Sequence, residues 1–407
     1  NRELVPVIWI ADIPTMQAQE TLSLNLSKEG HMAVYSSPAF GKSTFLQTIM
    51  MGLARKHNPE RLHSYLLDFG TNGLLPLRSL PHIADTMNSD EDEKIGKFIR
   101  RMATEIKRRK KMLSQYAVAN LAMYEKASGN EEPSILILVD GYEGFKGMKY
   151  EDPLEKILTQ ISREGAGIGL HLIISAGRTA SMRANLQSNI KLQLALKMID
   201  DAEPRNIVGR TSLAIDDLPG RGLIKLEDPA LFQAALPTEG EETLDIIDAI
   251  QAEAKEMDAY WTGERPEEIP VMPDVIDFEE FVQRKAVANS LDSRTEIPIG
   301  LEFEALKPFV LEKGQEANKI VLASTIKEQT DLLNIFIKIA GKKQSTNAIH
   351  LFDSEQGALS EYENQEFLGS YLQDKENIAG FFAGIKNEIE VRQQEYKRIA
   401  TENGQQE

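Results

Sequence analysis

Short apolar runs alternate with longer charged stretches through the first 236 residues of this chain. Ile135–Val139 is a continuous apolar run, as expected of a strand covered on both faces, Met32–Tyr35 and Leu170–Ser175 read as short buried strands, and Leu62–Phe69 and Leu192–Met198 as further strands. Between them, Phe45–Leu53, Glu93–Tyr116 and Leu154–Glu164 carry the residues of helices, and Asp200–Asn206 starts a shorter one. Ser89–Lys94 puts its carboxylates at the start of the long helix, where the helix dipole favours them. Before these lies an apolar stretch, Leu4–Ile10 with Pro6 inside, then Thr21–Leu26, which alternates with period two like a half-buried strand, and a turn at Ser27–Gly30. Leu74–Leu80 is rich in turn residues, Gly165–Gly169 is a loop, and Leu223–Lys225 and Phe232–Leu236 are further strands. Strands alternating with helices predict an α/β fold, a mostly parallel sheet with helices on both faces and ligands at the strand C-termini.

The pattern changes at residue 237. Glu239–Met257 reads as a charged helix, Tyr260–Val275 with its prolines as an extended linker, and Phe278–Val287 as a short helix. From residue 297 the chain starts again. Ile297–Gly300 matches Val5–Ile8, Ile320–Ala323 matches Met32–Tyr35, and His350–Ser354 matches Tyr65–Phe69. Phe367–Tyr396 matches His82–Tyr116, including Glu388-Ile-Glu-Val-Arg392 against Glu105-Ile-Lys-Arg-Arg109. The organisation predicted is a first module at 1–236, a charged helix and linker at 237–296, and a second, partial module at 297–407.

The chemistry concentrates after the first central strand. Ser36-Ser37-Pro38-Ala39-Phe40-Gly41-Lys42-Ser43-Thr44 joins an apolar strand to an apolar helix. In such a loop the backbone N–H groups wrap phosphates, the lysine reaches the outer ones, and the serine hydroxyl ligates Mg²⁺. The full pattern wants glycine where Ser36 stands, and a serine forced to positive φ there costs about 1–3 kcal/mol. Asp140 closes the strand Ile135–Val139, where a carboxylate sits beside the loop and holds the Mg²⁺ shell; the plainer role is capping the next helix. Ser36–Thr44 and Asp140 are therefore the candidate nucleotide-binding residues, with Ser43 and Asp140 at the metal and Mg-ATP as the cofactor. In the second module the aligned positions are Glu328-Gln329-Thr330, and a glutamate there repels phosphate, so no nucleotide is expected in that pocket.

Composition narrows the classes. With 407 residues, 42% hydrophobic, two or three globular domains are expected. There are no cysteines, which excludes disulfides, thiolate metal sites and a cysteine nucleophile, and the 6 histidines lack metal-ligand spacing. The chain opens without methionine and reads as part of something longer, with a membrane anchor elsewhere still open. A net charge of −17 speaks against tracking a nucleic-acid backbone. The dense basic run Lys107–Lys111 reads as a solvated helix face, with contact to nucleic acid or an acidic partner as the alternative.

Several of these features coincide. The phosphate loop, Leu66-Leu-Asp68, Leu80-Pro-His-Ile83 before a long charged helix, the strand ending at Asp140, Gly169-Leu-His-Leu-Ile-Ile174 and Leu218-Pro-Gly-Arg-Gly222 together resemble the FtsK/SpoIIIE family of hexameric P-loop ATPases. More narrowly, Asp140-Gly-Tyr, the proline-containing linker and the degenerate following module are similar to the tandem modules of membrane-anchored type VII secretion motors. The resemblance implies a RecA-like fold, ATP at subunit interfaces of a hexamer, a cytoplasmic location, and export of small helical-hairpin (WXG100-like) proteins rather than DNA. The departures imply weak or regulatory hydrolysis. Gly141 stands where a catalytic carboxylate follows the aspartate, and that assistance is typically worth about 10²–10⁴-fold. Glu143 lies two residues on and is misdirected if the strand ends regularly. Of the family's sensor-strand ending, Ser175-Ala-Gly-Arg-Thr179 keeps only Arg178. Arg163 is a candidate arginine finger for a neighbouring subunit, or a surface ion pair. An active motor using Glu143, a DNA translocase of the same fold and a scaffold with a dead loop are the competing readings.

Overall fold

The computed structural model describes residues 3–13, 18–225, 228–312, 318–343 and 349–403. They form two compact units, Asn1–Val271 and Met272–Glu407.

The first unit runs β1 (Val7–Ile13), β2 (Ala18–Ser23), α1 (Leu26–Glu29), β3 (Met32–Tyr35), α2 (Lys42–Ala54), β4 (Leu62–Asp68), β5 (Ile83–Asn88), α3 (Asp92–Gln115), α4 (Leu121–Ser128), β6 (Ser134–Asp140) and α5 (Glu151–Glu164). It continues through β7 (Leu170–Ala176), α6 (Ala184–Gln187), β8 (Leu192–Leu196), α7 (Glu203–Val208), β9 (Arg221–Lys225), β10 (Pro229–Ala234) and α8 (Thr243–Tyr260). One sheet has the order β2-β1-β10-β9-β8-β3-β7-β6-β4-β5. The six strands from β8 to β5 are parallel, and β9, β10, β1 and β2 extend the sheet antiparallel.

The continuous apolar strands are buried on both faces. On β6, Ile135, Ile137 and Val139 pack into one core with α3 and α5, while Leu136 and Leu138 pack into a second core with α2 and α8. On β3, Ala33 and Tyr35 face the first core, and Met32 and Val34 the second. Each such Ile, Leu, Val or Met side chain stabilises the fold by roughly 1.5–3 kcal/mol relative to exposure, so the sheet centre is where the module is strongest.

Four local expectations change. The alternating stretch expected to Leu26 ends as a strand at Ser23, and the predicted turn is the one-turn helix α1, capped by the Asn25 side chain on Lys28 N; the burial of Thr21–Ser23 lies outside the described residues. The charged helix begins at Thr243, not Glu239, with Ile250 and Ala254 fully buried in the first unit. Up to Val271 the linker is extended but tied down: Arg101 donates to the carbonyls of Glu267 and Glu268, Lys97 to that of Pro270, and Asp85 accepts from Ile269 N. The basic run is not a uniformly solvated face. Arg109 is fully buried and donates to Glu105 and to the carbonyls of Ile168 and Pro133, while Arg108 pairs with Glu105 and Glu132, and Lys110 with Glu164.

The second unit comprises α9 (Phe278–Gln283), α10 (Lys285–Asp292), a hairpin of β11 (Glu296–Leu301) with β12 (Pro308–Glu312), α11 (Ile326–Lys342), the parallel pair β13 (Ile349–Phe352) and β14 (Leu368–Leu372), and α12 (Lys375–Asn403). The repeat seen in the sequence is present in geometry. Asp68 Oδ2 accepts from Leu74 N and Asp353 Oδ2 from Leu359 N, each six residues on, and each loop then runs through a 3-10 turn to a parallel strand and a long helix. Ile320–Ala323, expected as the counterpart of β3, forms no strand, and Ile320 and Leu322 are exposed.

Two histidines, His31 buried and His63 half-buried, make the stability of the first unit testable. Burial, with His171 beside it, lowers the His31 pKa to about 3, and burial near Arg109 lowers that of His63 to about 4. Below pH 6.5 the unfolded chain takes up protons that the folded chain does not, so each histidine removes roughly 1.4 kcal/mol of stability per pH unit from about 6.5 down to its folded pKa. The urea midpoint of the first unit should fall between pH 7 and pH 5, and fall less in His63→Gln; a flat midpoint contradicts this. Arg109→Met, which leaves the Ile168 and Pro133 carbonyls without their donor and Glu105 with Arg108 alone, should cost about 2–4 kcal/mol in the same assay.

Candidate nucleotide site

The Ser36–Gly41 loop leaves the centre of the sheet, and its first residues extend the ladder. Ser36 N donates to Ala176 O and Ser37 N to Lys197 O, both at 3.1 Å, so the loop starts between the ends of β7 and β8. The strain expected at Ser36 falls elsewhere: Ala39 has φ +70° and Gly41 φ +95°, while Ser36 is not left-handed. An alanine in that region costs about 1–2 kcal/mol. The Leu218–Gly222 turn closes over the loop. Gly220 N donates to Phe40 O at 3.1 Å, and a Cβ on Gly41 would lie 3.1 Å from Gly220 N.

α2 starts from Gly41 with no side-chain cap, so its first N–H groups face the loop and suit an anion. Lys42 Nζ donates to Ser36 O at 2.7 Å. Burial pushes its pKa down, and the Glu143 and Asp140 carboxylates push it back up.

Asp140 joins three elements. Its Oδ2 accepts from Ser43 Oγ at 2.6 Å and its Oδ1 from Ser175 Oγ at 2.5 Å, while Ser175 Oγ also accepts from Gly141 N at 2.9 Å. Asp68 is its register partner across β4 and β6. Burial raises the Asp68 pKa, the Leu74 and Gly70 amides oppose that, and the Asp140 charge adds to it. A Cβ on Gly73 would sit 2.5 Å from Ser43 Oγ and 3.0 Å from Asp140 Oδ2, and Gln47 Nε2 holds Gly73 O at 2.6 Å. The loop after β4 thus forms a cradle over the two oxygens. A hydroxyl and a carboxylate side by side at a phosphate loop are the hard oxygen donors that Mg²⁺ takes, so the residues fit that ion. Beyond Thr44 a cleft of about 590 Å³ opens between Phe45, Gln233, Leu236, Ile246 and Ile247, large and apolar enough for a nucleoside.

Glu143 is better aimed than a regular strand end allows. Gly141 turns left-handed at φ +72°, and the 3-10 turn Tyr142–Phe145 swings Glu143 Oε1 onto Gly177 N. Arg178 lies at the same sheet edge, largely exposed, with Nε 3.9 Å from Glu203. Arg163 is exposed near the end of α5, which runs back to the opposite edge of the sheet, so the fold does not bring it to its own loop. Ser175, Gln47, Gly73 and Gly220 join the site without a sequence signal that marks their roles. Ser175 belongs to the sensor-strand ending, but only packing shows which hydroxyl meets Asp140.

The loop on β3, the carboxylate on β6 and the strand β7 between them define a P-loop ATPase fold of the RecA-like kind. Residues 5–216 match the model of the FtsK/SpoIIIE family, and the chain belongs to that family. It is 31% identical over 399 residues to the type VII secretion system protein EssC of Staphylococcus aureus strain MRSA252, covering 98% of this chain and 26% of that protein. It spans about a quarter of the length of the curated relatives it matches. Among solved structures, EssC (ATPases 2 and 3) from Geobacillus thermodenitrificans superposes with a TM-score of 0.88 at 28% identity, covering 97% of this chain and 74% of that one. Thermomonospora curvata EccC (ATPases 2 and 3), in complex with a signal sequence peptide, superposes with a TM-score of 0.65 at 23% identity, covering 96% and 70%.

Gly141→Glu, which would put a carboxylate directly after Asp140, should not create turnover. A Cβ there meets Gly70 N and Cα at 3.1 Å and inherits a left-handed φ. The expected result is a loss of about 1–3 kcal/mol in urea titration with no gain in phosphate release.

Proposed function

We propose that this chain is a pair of modules of a type VII secretion motor, the first of which binds Mg-ATP with slow or regulatory hydrolysis. The observation that carries this is the Ser43–Asp140 pair beneath the uncapped start of α2. Ser36–Thr44 would cradle the phosphates, Lys42 would neutralise the outer ones, and Ser43 and Asp140 would hold Mg²⁺, which supplies charge neutralisation at the phosphates. Slow turnover is supported by Gly141, which leaves no carboxylate directly after Asp140 to take a proton from water.

The second module would contribute recognition, not nucleotide chemistry. At α11 the helix start caps itself. Thr325 Oγ1 accepts from Glu328 N at 3.2 Å, and Glu328 Oε2 accepts from Ser324 N and Thr325 N at 3.1 Å. Here the Thr325 hydroxyl takes one first-turn amide and the Glu328 carboxylate takes the two amides just before the helix, so the chain's own groups stand where α2 leaves room for an anion. The signal peptide bound by the Thermomonospora relative supports a role in recognising small helical-hairpin export substrates together with other modules and subunits of a hexameric assembly. The likeness to EssC supports reading this portion as the cytoplasmic part of a membrane-anchored protein; among the described residues no helix is long and apolar enough to cross a membrane.

Calorimetric titration of Mg-ATP tests this. The chain should bind at a single site, and Lys42→Ala should weaken that site about 10–100-fold through loss of a charge-assisted contact. No second isotherm should remain in Lys42→Ala, since α11 is self-capped. Turnover on the same samples should be negligible; robust turnover abolished by Lys42→Ala overturns the slow-hydrolysis reading, and no binding in either protein overturns the nucleotide site.

A further inference from the structure

We propose that Glu143 reads the terminal phosphate of the bound nucleotide and, through the Gly177 amide, sets the position of the Gly177–Ser181 segment that carries Arg178. This rests on the assignment of Ser36–Thr44 as the Mg-ATP site.

The turn that presents Glu143 is rigid. Tyr142 and Phe145 on either side of it are fully buried, with ring centroids 4.9 Å apart in an edge-on contact, and the Lys146 ammonium lies 5.1 Å from the Tyr142 ring. With its neighbours anchored, Glu143 points to the end of β7. Its partner there has to be small: a Cβ on Gly177 would come within 3.2 Å of Glu143 Oε1.

The end of β7 also meets the phosphate loop. Ala176 O accepts from Ser36 N at 3.1 Å, and Ser36 O in turn accepts from Lys42 Nζ at 2.7 Å. The Ser36 amide and the Glu143 carboxylate therefore hold the two ends of the Ala176–Gly177 peptide, and the Glu143 charge acts on the Lys42 ammonium bound to Ser36 O. Lys42 is the loop's group for the outer phosphates. ATP brings its terminal phosphate to that ammonium, and with it a like charge close to Glu143; ADP does not. The carboxylate then holds Gly177 N less firmly in the ATP state.

The segment after Gly177 is poised to respond. Its 3-10 turn, Thr179–Ser181, has no buried residue, and the Arg178 side chain is 73% exposed. Releasing the Gly177 amide frees Arg178 to swing toward the added phosphate charge. Glu143 is thus a positioning residue that distinguishes ATP from ADP.

Hydrogen exchange of the full chain, read on peptides spanning Gly177–Met182, tests this without turnover. It compares nucleotide-free protein, a Mg-bound nonhydrolysable ATP analogue and Mg-ADP, with binding measured by calorimetry on the same samples. Exchange should be about tenfold faster with the ATP analogue than with ADP, the scale expected for one nearby like charge at a partly solvated site. Glu143→Gln keeps an acceptor for Gly177 N without the charge, so exchange should stay slow in both states, and the ATP-to-ADP affinity ratio should rise about tenfold. Glu143→Ala should exchange fast in every state. If the analogue binds and the wild-type segment exchanges equally with analogue and ADP, the proposal is overturned. If nucleotide fails to bind wild type, the underlying site assignment falls instead. Glu143→Gln alone carries the comparison if Glu143→Ala does not fold.

Discussion

The Asp140 carboxylate is the junction on which the functional edge of the first unit depends. One oxygen takes the Ser43 hydroxyl at the start of α2 and the other takes Ser175 at the end of β7, while Ser175 in turn receives Gly141 N. Three chain segments far apart in sequence are thereby held to within hydrogen-bond reach of each other. A buried carboxylate tolerates its position only when its lone pairs are satisfied, and here the hydroxyls that satisfy it come from the phosphate loop's helix and from the strand between loop and carboxylate. The loop after β4 closes over the same pair, with Gly73 drawn in by Gln47. The proposed metal site and the packing of the sheet edge are one set of contacts.

The second unit solves the same architectural problem differently. Asp68 and Asp353 shape equivalent loops, and β4–β5–α3 has its counterpart in β13–β14–α12. The difference lies at the helix start. Between Tyr35 and Lys42 six residues form a loop that leaves the α2 amides open; between Ala323 and Ile326 only Ser324 and Thr325 intervene, and the helix closes on Glu328. An N-terminus carries partial positive charge whatever sequence it has. Whether that charge meets a ligand or the chain itself is decided by the few residues before it.

Charge along α3 is likewise settled by its surroundings. A run of five basic residues looks like a surface stripe, yet Arg109 is fully buried on the carbonyls of Ile168 and Pro133, and Arg108 and Lys110 meet Glu105, Glu132 and Glu164. These pairs join α3 to the loops that enter β6 and β7, so much of the basic charge is neutralised by the fold. Sequence spacing cannot distinguish a cation facing water from one facing carbonyl groups, because helical periodicity places Arg109 on the same face as Ile106 and Met102 while its type argues for the surface.

Periodicity and short motifs alone determined the doubly covered strands, the order of helices between them, the repeat and the loop from Ser36 to Thr44 with Asp140 across from it. Those features are local: an unbroken apolar run, a glycine-lysine-serine at a helix start and a carboxylate at a strand end each announce themselves within a few residues. Only the tertiary structure decided where the loop is strained, which hydroxyl completes Asp140, and how Glu143 is aimed. Ala39 rather than Ser36 takes the positive φ because the loop's first residues are held in the ladder between β7 and β8. Glu143 reaches Gly177 because Gly141 turns left-handed against Gly70. Each of these depends on segments brought together by sheet order, and the contacts that fix them join residues separated by tens of positions, which no local pattern encodes.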